Sequence, residues 1–164
     1  MKIVLSESQY KKLFKEEKEQ KVLKIPSMKF FNNDWFLLQK FLEKKGNPPY
    51  SISGDLDLRE TQIKSLGNLQ IVGGNLDLRG TPIKSLGNLT SVGVYLDLEG
   101  TRIKSLGNLQ SVGGHLDLSY TPIKSLGNLE SVRGNLDLLR TPLSRKYTEE
   151  EIRQMVDVGG KIYL

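Results

Sequence analysis

The amino-acid sequence predicts an α/β repeat protein: a solenoid of short parallel strands, with a helical segment closing its start and a helix and strand closing its end. Three observations carry that prediction. Residues 54–73, 74–93 and 94–113 read "GDLDLRETQIKSLGNLQIVG", "GNLDLRGTPIKSLGNLTSVG" and "VYLDLEGTRIKSLGNLQSVG", one phrase repeated without insertion. Leu56, Leu76, Leu96, Leu116 and Leu136 lie 20 residues apart, and self-similarity at such a period marks a stack of turns in which each copy packs on its neighbours. Within each copy the triplet Leu-Asp-Leu alternates apolar, polar, apolar, which is the period of a strand with one buried face.

The 164 residues divide at 53 and 133. Residues 1–53 are not repetitive and form an N-terminal basic segment and helical cap. "MKIVL" reads as a short strand, and Ser6 with Gln9 resembles a capping box opening a helix through about Lys21. That helix has a thin apolar stripe (Tyr10, Leu13, Phe14) among alternating lysines and glutamates, the pattern of a solvated face. A second helix runs from "NNDW" to Lys45, with Asn33 or Asp34 as cap and with Gly46, Pro48 and Pro49 as a stop. Its face of Trp35, Leu38 and Leu42 is wide enough to cover the open end of the first repeat, which would otherwise expose core residues and a strand edge.

Residues 54–133 hold four copies, with Leu76, Leu78, Ile83, Leu86, Leu89 and Val92 as the inward set of one copy. Burying six side chains does not offset the entropy of ordering twenty residues, so a lone copy cannot fold and stacking is obligatory. Thr61, Thr81, Thr101, Thr121 and Thr141 fall at one corner of the turn, and Asn68, Asn88, Asn108 and Asn128 at another. Short polar side chains there are expected to bond backbone groups that no helix satisfies. Residues 134–164 begin a fifth, degenerate turn with "NLDL". They then change to a capping box (Thr148, Glu151), a helix to about Asp157, and a last strand "KIYL" after Gly159 and Gly160.

The order L-x-L-x-x-T-x-I, together with "TPIKSLGNL" and the tail "TPLSRKYTEEEIRQMV", resembles the leucine-rich repeat in its shortest, 20-residue bacterial and bacteriophage form. The likeness covers residues 54–164. It implies a solenoid with parallel strands on a concave face where a partner binds, and it implies no shared catalytic activity.

Composition narrows the function classes. With no cysteine there is no disulfide, no thiolate nucleophile and no cysteine-bound metal. No run is long enough to cross a membrane, and "MKIVLSESQ" is too short for a secretion signal, so the protein is expected in the cytoplasm of a bacterial host or associated with a virion. The net charge of +5 resides wholly in residues 1–53, and a basic helix there is the one route to nucleic acid. The lysine column (Lys64, Lys84, Lys104, Lys124) lacks the interleaved aromatic residues that single strands require. Calcium-binding β-helix repeats have a nine-residue period that 20 does not supply, so no metal or cofactor is expected.

What varies from copy to copy is the better guide to a contact. The framework is constant, while the strip around the strand reads Asp55, Asn75, Tyr95, His115 and Asn135 before it, and Arg59, Arg79, Glu99, Ser119 and Leu139 after it. A further column holds Glu60, Gly80, Gly100, Tyr120 and Arg140. Tyr95, His115 and Tyr120 are expected to cluster on the concave side, with Glu99, Arg79, Asp97 and Asp117, as the surface that binds a partner protein. The aspartate column is expected to be a solvated or partner-facing stripe. The function expected is a non-catalytic protein-interaction module, monomeric or part of an assembly. The alternatives are a structural component of a virion or other assembly and, behind it, nucleic-acid binding through the basic segment.

Overall fold

The computed structural model describes residues 22–164, so the expected strand "MKIVL" and the helix from Ser6 to about Lys21 lie outside the described residues. The chain is a parallel-strand solenoid with two sheets. The first sheet carries, in spatial order, β1 (Leu23–Ile25), β2 (Tyr50–Ile52), β4 (Leu69–Val72), β6 (Ser91–Val92), β8 (Ser111–Val112), β10 (Ser131–Val132) and β12 (Asp157–Val158). The second carries β3 (Leu56–Asp57), β5 (Leu76–Asp77), β7 (Leu96–Asp97), β9 (Leu116–Asp117), β11 (Leu136–Asp137) and β13 (Ile162–Tyr163). Each 20-residue copy thus gives one strand to each sheet. The Leu-Asp-Leu strand is the expected one. The strand at the Ser-Val pair is additional.

Register is strict because identical residues stack: Leu76 pairs with Leu56 and Leu96, and Asp77 with Asp57 and Asp97. Backbone bonds continue the ladder past the short strands, as in Leu76 N–H to Tyr95 O (2.8 Å) and Gly93 N–H to Val72 O (2.8 Å). All six inward residues expected for the second copy are buried and belong to one hydrophobic core, which includes residues from Ile25 to Ile162.

Helices lie only outside residues 54–133, so "α/β" describes the chain's ends, not its repeating unit. A 3-10 turn (Met28–Phe31) precedes α1 (Trp35–Lys44), whose N-cap is Asp34: its Oδ1 accepts the Phe36 and Leu37 amides at 2.8 and 3.1 Å. Trp35, Leu38 and Leu42 are the buried face of α1, as expected. After the fifth Leu-Asp-Leu come α2 (Pro142–Lys146), which the sequence reading did not anticipate, and α3 (Glu149–Met155). Both halves of the Thr148–Glu151 capping box form, and α3 stops two residues short of the expected Asp157, which instead enters β12.

The threonine corner meets the expectation in every turn and the asparagine corner only in part: the Asn68 and Asn108 side-chain amides donate to the Asn47 and Gly87 carbonyls, whereas that of Asn88 donates to the Asn68 side chain. Each of Thr61, Thr81, Thr101, Thr121 and Thr141 donates its hydroxyl to the carbonyl three residues back, at 2.6 to 2.8 Å. Ser65, Ser85, Ser105 and Ser125 each accept the amide of the glycine two residues on.

Candidate functional site

The variable strip flanks the Leu-Asp-Leu sheet, and the aspartates at its centre serve the fold before anything else. Asp57, Asp77, Asp97, Asp117 and Asp137 each accept, through Oδ1, the backbone N–H two residues on, at 2.8 to 3.2 Å. An aspartate bonded in this way turns the chain out of the strand, so one carboxylate oxygen of each is committed in every copy. The other oxygen is where the copies diverge.

In the first half of the sheet that second oxygen meets arginine. Arg59 lies 2.8 Å from Asp57 and 4.0 Å from Asp77, and Arg79 lies 2.7 Å from Asp77 and 3.1 Å from Asp97. Each guanidinium bridges two successive aspartates and screens their repulsion. The positions equivalent to Arg59 and Arg79 in the later turns are Glu99, Ser119 and Leu139, so neither Asp117 nor Asp137 has an arginine two residues on.

Asp97 stands at the change-over and is only 3% exposed. It is not the solvated stripe residue expected from the sequence, because the Tyr95 hydroxyl, donating to Oδ2 at 3.2 Å, and Arg79 cover it. Burial, reinforced by the charges of Asp117 and Asp77, pushes its carboxyl up to about 6 against the opposing pull of the Glu99 amide and Arg79. Asp77 is also desolvated, yet hydrogen bonds and charge from Arg79 outweigh that and hold it below the usual carboxylate range. Burial, opposed by the Leu139 amide, likewise raises Asp137, and desolvation followed by the negative charge of Asp97 raises the Tyr95 phenol.

The column preceding the strand is a second ladder. Asp55 Oδ1 accepts the Asn75 amide (2.7 Å), Asn75 Oδ1 the Tyr95 amide (3.2 Å), His115 Nδ1 the Asn135 amide (2.7 Å), and Asn135 Oδ1 the Lys161 amide (2.9 Å). Asparagine suits this role, and histidine substitutes for it through a ring nitrogen. A tyrosine ring cannot reach back in the same way, and Tyr95 instead turns its hydroxyl to Asp97.

Of the residues expected to bind a partner, the structure brings Tyr95, His115 and Asp117 together. They line a hollow of about 180 Å³ with Leu116, Asn135, Asp137 and Tyr163, and the Tyr95 and His115 rings meet edge to face at 6.4 Å. Tyr95 also shares with Arg79 a hollow of about 380 Å³ over the earlier turns, beside Asp57 and Asp77. Arg79 and Glu99 line a third, of about 430 Å³, with Arg59, Glu60, Gly80 and Gly100. Tyr120 lines none of the three. It is 58% exposed at the corner beyond the strand, in the left-handed region (φ 56°), with the Arg140 guanidinium 5.8 Å from its ring.

Sequence reasoning missed Tyr163, although a signal exists: "GGKIYL" aligns with "GGNLDL" of the second copy, and Tyr163 pairs in register with Asp137 as the last member of the aspartate column. Lys64, Lys84, Lys104 and Lys124 are exposed. No protein-family model matches the chain, and comparison with curated proteins and with solved structures gives no match.

Proposed function

We propose that this protein is a non-catalytic recognition module that binds a partner protein through the C-terminal half of its Leu-Asp-Leu sheet. The observation that carries the reading is the departure of Tyr95 and His115 from the asparagine that serves the amide ladder at positions 75 and 135. Two aromatic rings replace two asparagines and line one hollow with Asp117 and Asp137, whose turns carry no arginine at the Arg59 position, on an otherwise monotonous surface. Aromatic residues on an exposed, concave surface are the usual anchors of protein contacts. Tyr120, 58% exposed at the corner beyond the strand, supports a wider contact as an aromatic side chain open to solvent. Against catalysis stands the engagement of the candidate groups: His115 Nδ1 holds the Asn135 amide, and the four corner serines hold glycine amides.

The finer identity belongs to the same reading. The solenoid is of the leucine-rich-repeat kind, with the contact on its concave side, α1 closing one end and the final helix and strand the other. It is encoded by a bacterium or phage and works in the host cytoplasm. The sequence phrases and the stacked parallel strands support this assignment. Among the described residues no helix is long and apolar enough to cross a membrane.

The test is recovery of partners from the native cell by the intact protein and by a Tyr95→Asn, His115→Asn variant. This pair restores the residue the ladder uses elsewhere and so preserves the fold. A protein recovered with the first and lost with the second supports the reading. Recovery of the same proteins by both moves the contact elsewhere, and recovery of none favours a structural component of an assembly.

A further inference from the structure

Each turn of the Leu-Asp-Leu sheet repeats the last, so an arrangement seen at one rung states what the chemistry of an equivalent rung can hold. The paired aspartates Asp57 and Asp77 are bridged by the guanidinium of Arg59, and Asp77 and Asp97 by that of Arg79. Asp117 and Asp137 are paired in the same parallel register. Their Oδ1 atoms are committed in the same way, to the Ser119 and Leu139 amides at 2.8 and 2.9 Å. The bridging cation alone is different: positions 119 and 139 are serine and leucine. The hollow beside this rung adds Tyr95, His115 and Tyr163, whose ring faces and edges suit a flat, weakly hydrated cation.

We propose that the Asp117–Asp137 rung takes the guanidinium of an arginine side chain presented by the partner, which completes from outside the ladder that Arg59 and Arg79 build from within. Arginine is favoured over lysine because the occupied rungs show one cation reaching two carboxylates 20 residues apart, which a planar fork does and a point charge does less well. The inference rests on the reading of this face as a contact surface and names the chemistry of what it contacts.

The test uses the full chain and three blocked amino acids: N-acetyl-arginine amide, N-acetyl-lysine amide and the uncharged N-acetyl-citrulline amide. Backbone amide shifts of Ser119 and Leu139, which donate to the two aspartates, report occupancy. The expected result is saturable shifts with the arginine compound, about tenfold weaker binding of the lysine compound, and no saturation with citrulline. Asp117→Asn with Asp137→Asn keeps the Oδ1 acceptors and is expected to abolish the shifts without lowering thermal stability. Ser119→Arg supplies the guanidinium from the position equivalent to Arg59 and Arg79 and is expected to do the same. Equal response to citrulline, or saturation that survives in the double asparagine variant, overturns the proposal. The two levels fail separately: a cellular partner lost with Tyr95→Asn, His115→Asn but retained by Asp117→Asn, Asp137→Asn leaves the contact face standing and removes arginine from it.

Discussion

A carboxylate buried between two others, as Asp97 is between Asp77 and Asp117, resists ionisation, and this gives the protein's stability a defined pH dependence. The ordinary aspartate value is 3.8, against about 6 in the fold. Below pH ~4 both states hold the proton and Asp97's contribution is fully present; as pH rises, the unfolded chain ionises first, and the contribution is lost as pH passes through the folded value. The span amounts to about 3 kcal/mol. Asp97→Asn keeps an acceptor for the Glu99 amide, so its unfolding free energy should be flatter than the wild type's between pH 4 and 7 in denaturant titrations. A wild-type slope unchanged by the substitution would contradict the burial argument. Asp77 acts in the opposite sense: its lowered value confines its loss of stabilisation to acid below the ordinary 3.8. At the corner, Tyr120→Gly should raise stability by about 1 kcal/mol, since glycine takes the left-handed backbone without strain, while weakening partner recovery. Unchanged recovery would mean that the tyrosine is not a contact.

Elements were legible in the sequence where a specific side chain forces them. Asp34 and Thr148 cap helices because an oxygen acceptor must stand there, and the residues that cap in the structure are the ones the sequence offered. The Ser-Val sheet was not legible, because the buried residues around its strands, such as Leu89 and Val92, lie three apart and show no period of two, unlike Leu76 and Leu78. By alternation alone the aspartate column looked outward-facing; its bonds to the amide two residues on are local turns, while the burial of Asp97 needs both Tyr95 of its own turn and Arg79 of the preceding one. The glycine corner separates local from stacking effects. Gly107 and Gly127 share a left-handed backbone (φ 59° and 61°), but a Cβ at 107 meets nothing within 4 Å, whereas one at 127 meets backbone atoms of Gly107 at 2.7 Å. Gly107→Ala should therefore cost about 1 kcal/mol from backbone strain. Gly127→Ala should cost roughly 2 kcal/mol more from collision with the preceding turn. Equal costs in chemical unfolding would mean that the turns adjust past one another freely.

Across the whole molecule, the constant residues make a scaffold and the exceptions mark one region of it. Leucine, threonine, serine and glycine recur because each turn must present the same surface to the next, and one core includes residues of every turn. Arginine accompanies the aspartates in the first turns and aromatic residues in the later ones, so the two ends of one sheet differ in charge and in chemistry. From that asymmetry we propose that recognition occurs over the later turns and not along the lysine column. Site-specific photocrosslinking in the native cell tests it most directly, with a benzophenone amino acid placed at Leu139, exposed beside Asp137, or at Lys104, exposed in the lysine column. A protein adduct from position 139, absent from position 104 and lost with Tyr95→Asn, His115→Asn, is the predicted result. Equal adducts from both positions, or an adduct from 104 alone, would contradict it.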